Sequence, residues 1–160
     1  MHIPGARVLD LFSGSGALAL EALSRGAAHA TLVELSPLAL KLIQKNIMEL
    51  GVRDQTELIS DSVDKAIERL LKNTARTESR NGETGLFDIV LADPPYGGGW
   101  ETRLLQDLPW ARLLRPEGLF CMEWGLLKSK VSELPPTVPF LVKVREKIYG
   151  ESVLTTYAKT

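Results

Sequence analysis

Apolar runs bounded by turn residues alternate with segments of helical period, the pattern of βα units laid around a parallel sheet. Residues 7–11, 30–34 and 56–60 read as strands, and 17–24 and 63–71 as helices. In "SPLALKLIQKNIMELG", Ser36 is the N-cap and Pro37 takes the first helical position. Leu38, Leu42, Ile43 and Ile47 form one apolar face, and Gly51 stops the helix. Residues 87–92 and 118–124 read as further strands. The ending "FLVKVREKIYGESVLTTYAKT" gives two β-rich runs joined at Gly150 and Glu151, a hairpin signal. The pattern predicts a doubly wound, mostly parallel seven-stranded α/β sheet with a C-terminal antiparallel hairpin.

The run "NTARTESRNGETG", residues 73–85, has almost no apolar content and reads as a mobile surface loop. A domain boundary there would leave neither half a complete core, so residues 1–160 are expected to form a single domain. Apolar residues make up 44% and charged residues 24%, as in ordinary globular chains, and no apolar run approaches the roughly 20 residues of a membrane helix. The start lacks the basic, apolar and small-residue order of a signal peptide. Cys121 is the one cysteine, which excludes an internal disulfide and fits a reducing cytoplasm. A net charge of −1 argues against coating nucleic acid by bulk charge. It leaves room for a local basic face around Lys128, Lys130, Lys143, Arg145 and Lys147, against the plainer reading of a solvated mixed surface. His2 and His29 are isolated and expected to be exposed, no His/Cys cluster has metal-ligand spacing, and no metal is predicted.

Two stretches carry chemistry. In "VLDLFSGSGALALEAL" a strand runs into Gly14-x-Gly16 and then a helix, so backbone can approach a ligand and a helix N-terminus can face it. Gly14, Gly16 and Ala19 also satisfy G-x-G-x-x-A, with Glu34 placed to bind ribose hydroxyls. Asp10 separates the alternatives: an acid at the strand mouth repels a pyrophosphate but attracts an ammonium, which suits S-adenosylmethionine better than NAD. A tight turn and a solvated strand end are the plain readings of the glycines and of Glu34. Asp61 reaches the adenine edge by the same logic, or caps the next helix.

The second stretch is "DIVLADPPYGGGW". Proline has no N–H, so Pro94 and Pro95 offer carbonyl acceptors in a stiff frame. Asp93 with such a carbonyl makes an acceptor pair for an NH2 group, and Tyr96 gives a face on which a base can stack. The loop is suited to grip an aromatic amine next to a methyl donor, with catalysis by positioning and electrostatics.

These residues resemble the class I S-adenosylmethionine-dependent methyltransferases, in which [DN]-P-P-[YF] marks enzymes acting on exocyclic or amide nitrogens. "LDLFSGSGALALEALSRGA", "ADPPY" and "REKIYGESVLTTY" are together similar to the bacterial 16S ribosomal RNA guanine-N2 methyltransferases of the RsmD family, over nearly the whole chain. The resemblance implies that Asp10, Phe12, Ser13, Gly14 and Gly16 surround the methionine part of the cofactor, Glu34 the ribose, and Asp61 with Ser62 the adenine. It implies that Asp93, Pro94, Pro95 and Tyr96 hold the target guanine, Asp93 also bordering the cofactor. It implies 16S ribosomal RNA or the small ribosomal subunit as partner, S-adenosylhomocysteine as product and a cytoplasmic enzyme; a monomer is assumed. Family members carry a basic segment ahead of the first strand, which here begins by Arg7, so the expectation is a trimmed chain or a missing part of the RNA contact.

Other functions stay open at this point. A cytosine-C5 enzyme needs a cysteine nucleophile in a loop, whereas Cys121 sits in the strand-like "GLFCMEW". A nicotinamide oxidoreductase leaves DPPY without a role. DNA adenine and protein glutamine amines fit the same grip, and a non-catalytic cofactor- or RNA-binding domain is the alternative of a different class.

Overall fold

The computed structural model describes residues 2–74, 86–126 and 132–160. In it β1 (Arg7–Asp10), α1 (Ala17–Ser24), β2 (His29–Glu34), α2 (Pro37–Leu50), β3 (Thr56–Ser60), α3 (Val63–Thr74) and β4 (Phe87–Ala92) follow in order. Then come α4 (Trp100–Asp107), α5 (Trp110–Leu113), β5 (Leu114–Gly125), β6 (Thr137–Val138), β7 (Leu141–Tyr149) and β8 (Ser152–Lys159). The strands form one sheet in the order β3-β2-β1-β4-β5-β8-β7-β6. Strands β1 to β5 are parallel to their neighbours among themselves, while β8, β7 and β6 pair antiparallel. The order reverses between β1 and β4, and ligands of such sheets bind at the C-terminal strand ends beside that point.

Both faces of the parallel strands are apolar, as burial under helices demands. Val8, Leu32 and Ile89 pack with α1 and α2, and their neighbours Leu9, Val33 and Val90 pack into the larger core on the other face. Helix α2 starts as its sequence requires: the Ser36 Oγ accepts from the Ala39 N–H, Pro37 opens the helix, and Gly51 closes it at φ 66°. On α2, Ile43 and Ile47 are buried, whereas Leu38 is 80% exposed. The expected four-residue apolar face is therefore buried on one side only.

Several boundaries differ from the sequence pattern. Helix α3 extends to Thr74, so residues 73 and 74 are helical, and the rest of the expected mobile loop lies outside the described residues. Strand β5 begins at Leu114 rather than at residue 118, because a bulge carries it past Pro116 and Glu117. The pairing steps from Phe87↔Leu114 to Ile89↔Leu119, and Glu117 has φ 62°. Gly118 is needed there: a Cβ would lie 2.8 Å from the Arg115 carbonyl oxygen. The sheet has eight strands instead of seven through the two-residue β6. Helices α4 and α5 are not announced by the pattern, since their buried residues, among them Leu104, Leu105, Trp110 and Leu113, fall in short polar-interrupted runs. The hairpin forms as expected and is anchored by Trp124, whose Nε1 donates to the Thr155 Oγ1 at 3.0 Å, and by Lys159, whose Nζ donates to the Ala111 and Leu114 carbonyls. Among the described residues no helix is long and apolar enough to cross a membrane.

Candidate active site

A cavity of about 690 Å³ opens at the C-terminal ends of the central strands, within the range of small-molecule and cofactor sites. Phe12 and Gly14 border it from the loop after β1, Glu34 from the end of β2, and Asp61 and Ser62 from the β3–α3 turn. Asp93 and Pro95 border it from the loop after β4. Residues from four strand ends meet because the sheet places β3, β2, β1 and β4 side by side.

The two loop glycines have separate jobs. Gly14, at φ 54°, has open space where a Cβ would be, so its backbone is free to face a ligand. At Gly16, φ 81°, a Cβ would lie 3.2 Å from Leu32 Cδ2 and 3.4 Å from Leu20 Cδ1; this glycine lets α1 pack on the sheet and does not border the cavity. Glu34 fixes the loop: its Oε2 accepts from the Gly14 N–H at 2.8 Å, and its Oε1 accepts from the N–H groups of Leu35 and Ser36 at 2.8 and 2.7 Å. A carboxylate offers about four lone-pair sites, so three such bonds leave room for a ribose hydroxyl. Ser13 is spent on the scaffold, its Oγ donating to the Asp10 carbonyl at 3.1 Å. The Asp61 Oδ1 accepts from the Ser62 N–H at 2.8 Å, and Ser62, not Asp61, caps α3 through its Oγ and the Lys65 N–H.

Asp10 is fully buried before the glycine loop and does not itself border the cavity. Neither of its carboxylate oxygens has a hydrogen-bond partner among the described residues. Burial pushes the carboxyl up to about 7, and the charges of Asp93 and Glu34 add to this. The nearby backbone N–H groups of Phe12 and Ala19 pull the other way without closing a hydrogen bond. A buried, unpartnered carboxylate is costly until a cation or donor approaches. That demand, the open backbone of Gly14 and the carboxylate of Glu34 fit a ligand bearing an ammonium at one end and a ribose at the other.

The loop after β4 is built differently. Pro94 is buried while Asp93, Pro95 and Tyr96 are exposed. The Tyr96 ring lies against Gly125, where an added Cβ would sit 3.4 Å from its ring carbons. Its hydroxyl donates to Glu123 Oε1 at 3.1 Å and stands 3.0 Å from Ser152 Oγ, so Ser152 is the donor to the phenol oxygen. Partial burial, together with the charge of Glu123, raises the Asp93 carboxyl above the usual carboxylate range.

Trp100, Glu123 and Ser152 were not foreseen as site residues. Trp100 borders the cavity, meets Phe12 edge to face at 5.0 Å between centroids, and carries the Arg103 guanidinium over its ring at 4.3 Å. Its signal was an aromatic ring directly after a glycine run. The signal for Glu123 was an acid near a strand end, the same one that marks Asp10, Glu34, Asp61 and Asp93. Cys121 is buried in β5 between Leu91 and Thr156, and burial pushes its thiol up, which makes it a poor nucleophile. His29 is half-buried rather than exposed, and burial lowers its imidazole. Among the described residues no three His, Cys, Asp or Glu side chains converge to hold a metal.

The family described as "Conserved hypothetical protein 95" matches residues 1–158. The chain is 34% identical over 161 residues to "Ribosomal RNA small subunit methyltransferase D" of Escherichia coli, covering 98% of this chain and 70% of that one. It is 37% identical over 134 residues to "tRNA (guanine(6)-N2)-methyltransferase" of Thermus thermophilus, covering 83% of this chain and 32% of that longer protein. Among solved structures, a conserved hypothetical protein of Streptococcus pyogenes superposes with a TM-score of 0.81 at 35% identity, over 98% of this chain and 88% of that one. The chain belongs to the "Conserved hypothetical protein 95" family, the RsmD group of class I S-adenosylmethionine-dependent methyltransferases.

Proposed function

We propose that this chain is a cytoplasmic, monomeric, single-domain enzyme that methylates the exocyclic N2 of a guanine in 16S ribosomal RNA. The observation that carries the reading is that Asp93 and Pro95 of the DPPY loop border the same cavity as Gly14, Glu34 and Asp61. An amine grip and a cofactor pocket thus share one space. The E. coli and T. thermophilus relatives, named for ribosomal RNA and for guanine N2, support the substrate.

S-adenosylmethionine, when bound, supplies an electrophilic sulfonium methyl. Phe12 and Gly14 line its methionine part, Ser13 and Gly16 shape the loop behind them, and the Asp10 charge complements the ammonium. Glu34 takes the ribose, and Asp61 with Ser62 the adenine. Asp93 and the Pro94 carbonyl accept from the two N–H bonds of the guanine amine, which pulls its lone pair out of ring conjugation and fixes its aim. Pro95 stiffens the frame and Tyr96 stacks on the base. The methylated nitrogen must shed one proton, and Asp93, with its raised carboxyl, is placed to accept it. The guanine has to be flipped or unpaired to enter.

On the hairpin, cross-strand register puts Arg145, Lys147 and Tyr149 opposite Thr156, Leu154 and Ser152, on the face that carries the Ser152 contact to Tyr96. These exposed side chains offer charge and a ring to the RNA flanking the base. Lys143 is engaged instead with Glu146 and the Leu134 carbonyl, and Lys128 and Lys130 of the expected basic face lie outside the described residues. The test is incubation with labelled S-adenosylmethionine and small-subunit RNA lacking the modification, followed by mass spectrometry of the nucleosides. N2-methylguanosine is the expected product; another methylated nucleoside overturns the base assignment.

A further inference from the structure

The DPPY grip alone does not choose among conjugated NH2 groups, because guanine, adenine, cytosine and the glutamine amide all present one. They differ in the atom beside it. Guanine has a donor, N1–H, next to its 2-amino group, whereas adenine and cytosine have a ring nitrogen lone pair there and glutamine a carbonyl oxygen. A carboxylate at that point accepts from the first and repels the others.

Glu123 is the carboxylate next to Asp93. Ala92, the last residue of β4, pairs in parallel register with Met122, so Asp93 and Glu123 are the next residue on each of two adjacent strands. The Tyr96 hydroxyl holds Glu123 through Oε1 at 3.1 Å, while Oε2 accepts no hydrogen bond among the described residues. The nearness of the two carboxylates is also felt in the Asp93 carboxyl, which the Glu123 charge raises. Two adjacent carboxylates repel each other, an arrangement relieved by a ligand that presents neighbouring N–H donors. The Watson–Crick edge of guanine is such a ligand, with N1–H and N2–H2 side by side.

We propose that Glu123 reads the N1–H of the target guanine while Asp93 and the Pro94 carbonyl hold its amine, which makes Glu123 the residue that selects guanine. This deepens the function proposed above and rests on it. Tyr96 then serves twice, as a stacking face and as the clamp that leaves one Glu123 oxygen free for the base.

The experiment compares two RNA fragments that carry either guanine or 2-aminopurine at the position the wild-type protein methylates. The analogue keeps the 2-amino group but has a lone pair at N1. The wild-type protein is expected to prefer guanine by about 100-fold or more in kcat/KM, as sites built around a hydrogen bond do. Glu123→Gln keeps an oxygen for the Tyr96 hydroxyl and offers an NH2 to the N1 lone pair, so the preference is expected to fall at least about tenfold. The S-adenosylhomocysteine affinity of Glu123→Gln, by calorimetry, is expected to stay within about twofold of wild type. An unchanged preference in Glu123→Gln, or a loss of cofactor affinity as large as the fall in preference, overturns the assignment. Absence of any guanine methylation by the wild-type protein overturns the underlying function, and this contact with it.

Discussion

On the β1–β3 side of the cleft, cavity-facing groups are held by neighbours close in sequence; on the β4–β5 side they are held across the sheet. Glu34 ties down Gly14, 20 residues away, and its own successors Leu35 and Ser36, while Asp61 bonds to Ser62 beside it. Tyr96 instead depends on Glu123 and Ser152, 27 and 56 residues away. The cofactor side is therefore set once the first βαβ units form, whereas the base side is complete only when β8 has paired with β5. Damage to the hairpin should cost methyl transfer while sparing cofactor binding.

After Asp93 itself, the largest effect expected from breaking that division is at Tyr96. Tyr96→Ala removes the stacking face and the Glu123 clamp, and should lower kcat/KM for RNA about 100-fold while cofactor affinity by calorimetry stays within about twofold. Next, Glu34→Ala leaves the Gly14, Leu35 and Ser36 N–H groups without their carboxylate. It should weaken S-adenosylhomocysteine binding about 10- to 100-fold in the same assay.

The glycines sharpen the comparison within the cofactor side. Gly16→Ala meets both a left-handed φ and the Leu32 side chain, and should destabilise the fold by about 2 kcal/mol in denaturant titration. Gly14→Ala meets only the backbone strain and should cost about 1 kcal/mol. Equal losses would remove the distinction between a packing glycine and a ligand-facing one.

A further effect is a pH dependence at Asp10. Its folded carboxyl titrates near 7, above the ordinary 3.8, so the folded state holds its proton more tightly than the unfolded chain. Stability from this group is full below about 4 and declines as pH rises towards 7. Cofactor affinity should move the opposite way, increasing through the same window as the carboxylate ionises to meet the ammonium. Asp10→Asn should flatten both profiles and raise the unfolding midpoint of the ligand-free protein at pH 8.

The same local-versus-distant division governs what the sequence made legible. Strand ends, the Gly14 loop, the α2 cap and the DPPY motif are short-range patterns, each with its own turn or capping chemistry, and they were readable in place. Trp100 and Ser152 were not, because nothing in "GGGW" or "YGES" reveals what lies across the fold. Glu123 obeys the same rule as the acids at the other strand ends, but it sits inside an apolar run that masks it. The family resemblance assigns Ser13 and Gly16 to the ligand, whereas the structure spends Ser13 on the Asp10 carbonyl and Gly16 on helix packing. The start of β5 was missed because Pro116 reads as a strand breaker unless the bulge that absorbs it is known.

The most direct test of the central claim, that a cofactor pocket and an amine grip share one cavity yet rest on separate supports, is Asp93→Ala measured twice on one preparation. Calorimetry would give cofactor affinity, and labelled methyl transfer to unmodified small-subunit RNA would give activity. Affinity is expected within about threefold of wild type and transfer reduced by about 1,000-fold. Parallel loss of both would contradict it, since Asp93 would then be holding the cofactor or the fold rather than the base.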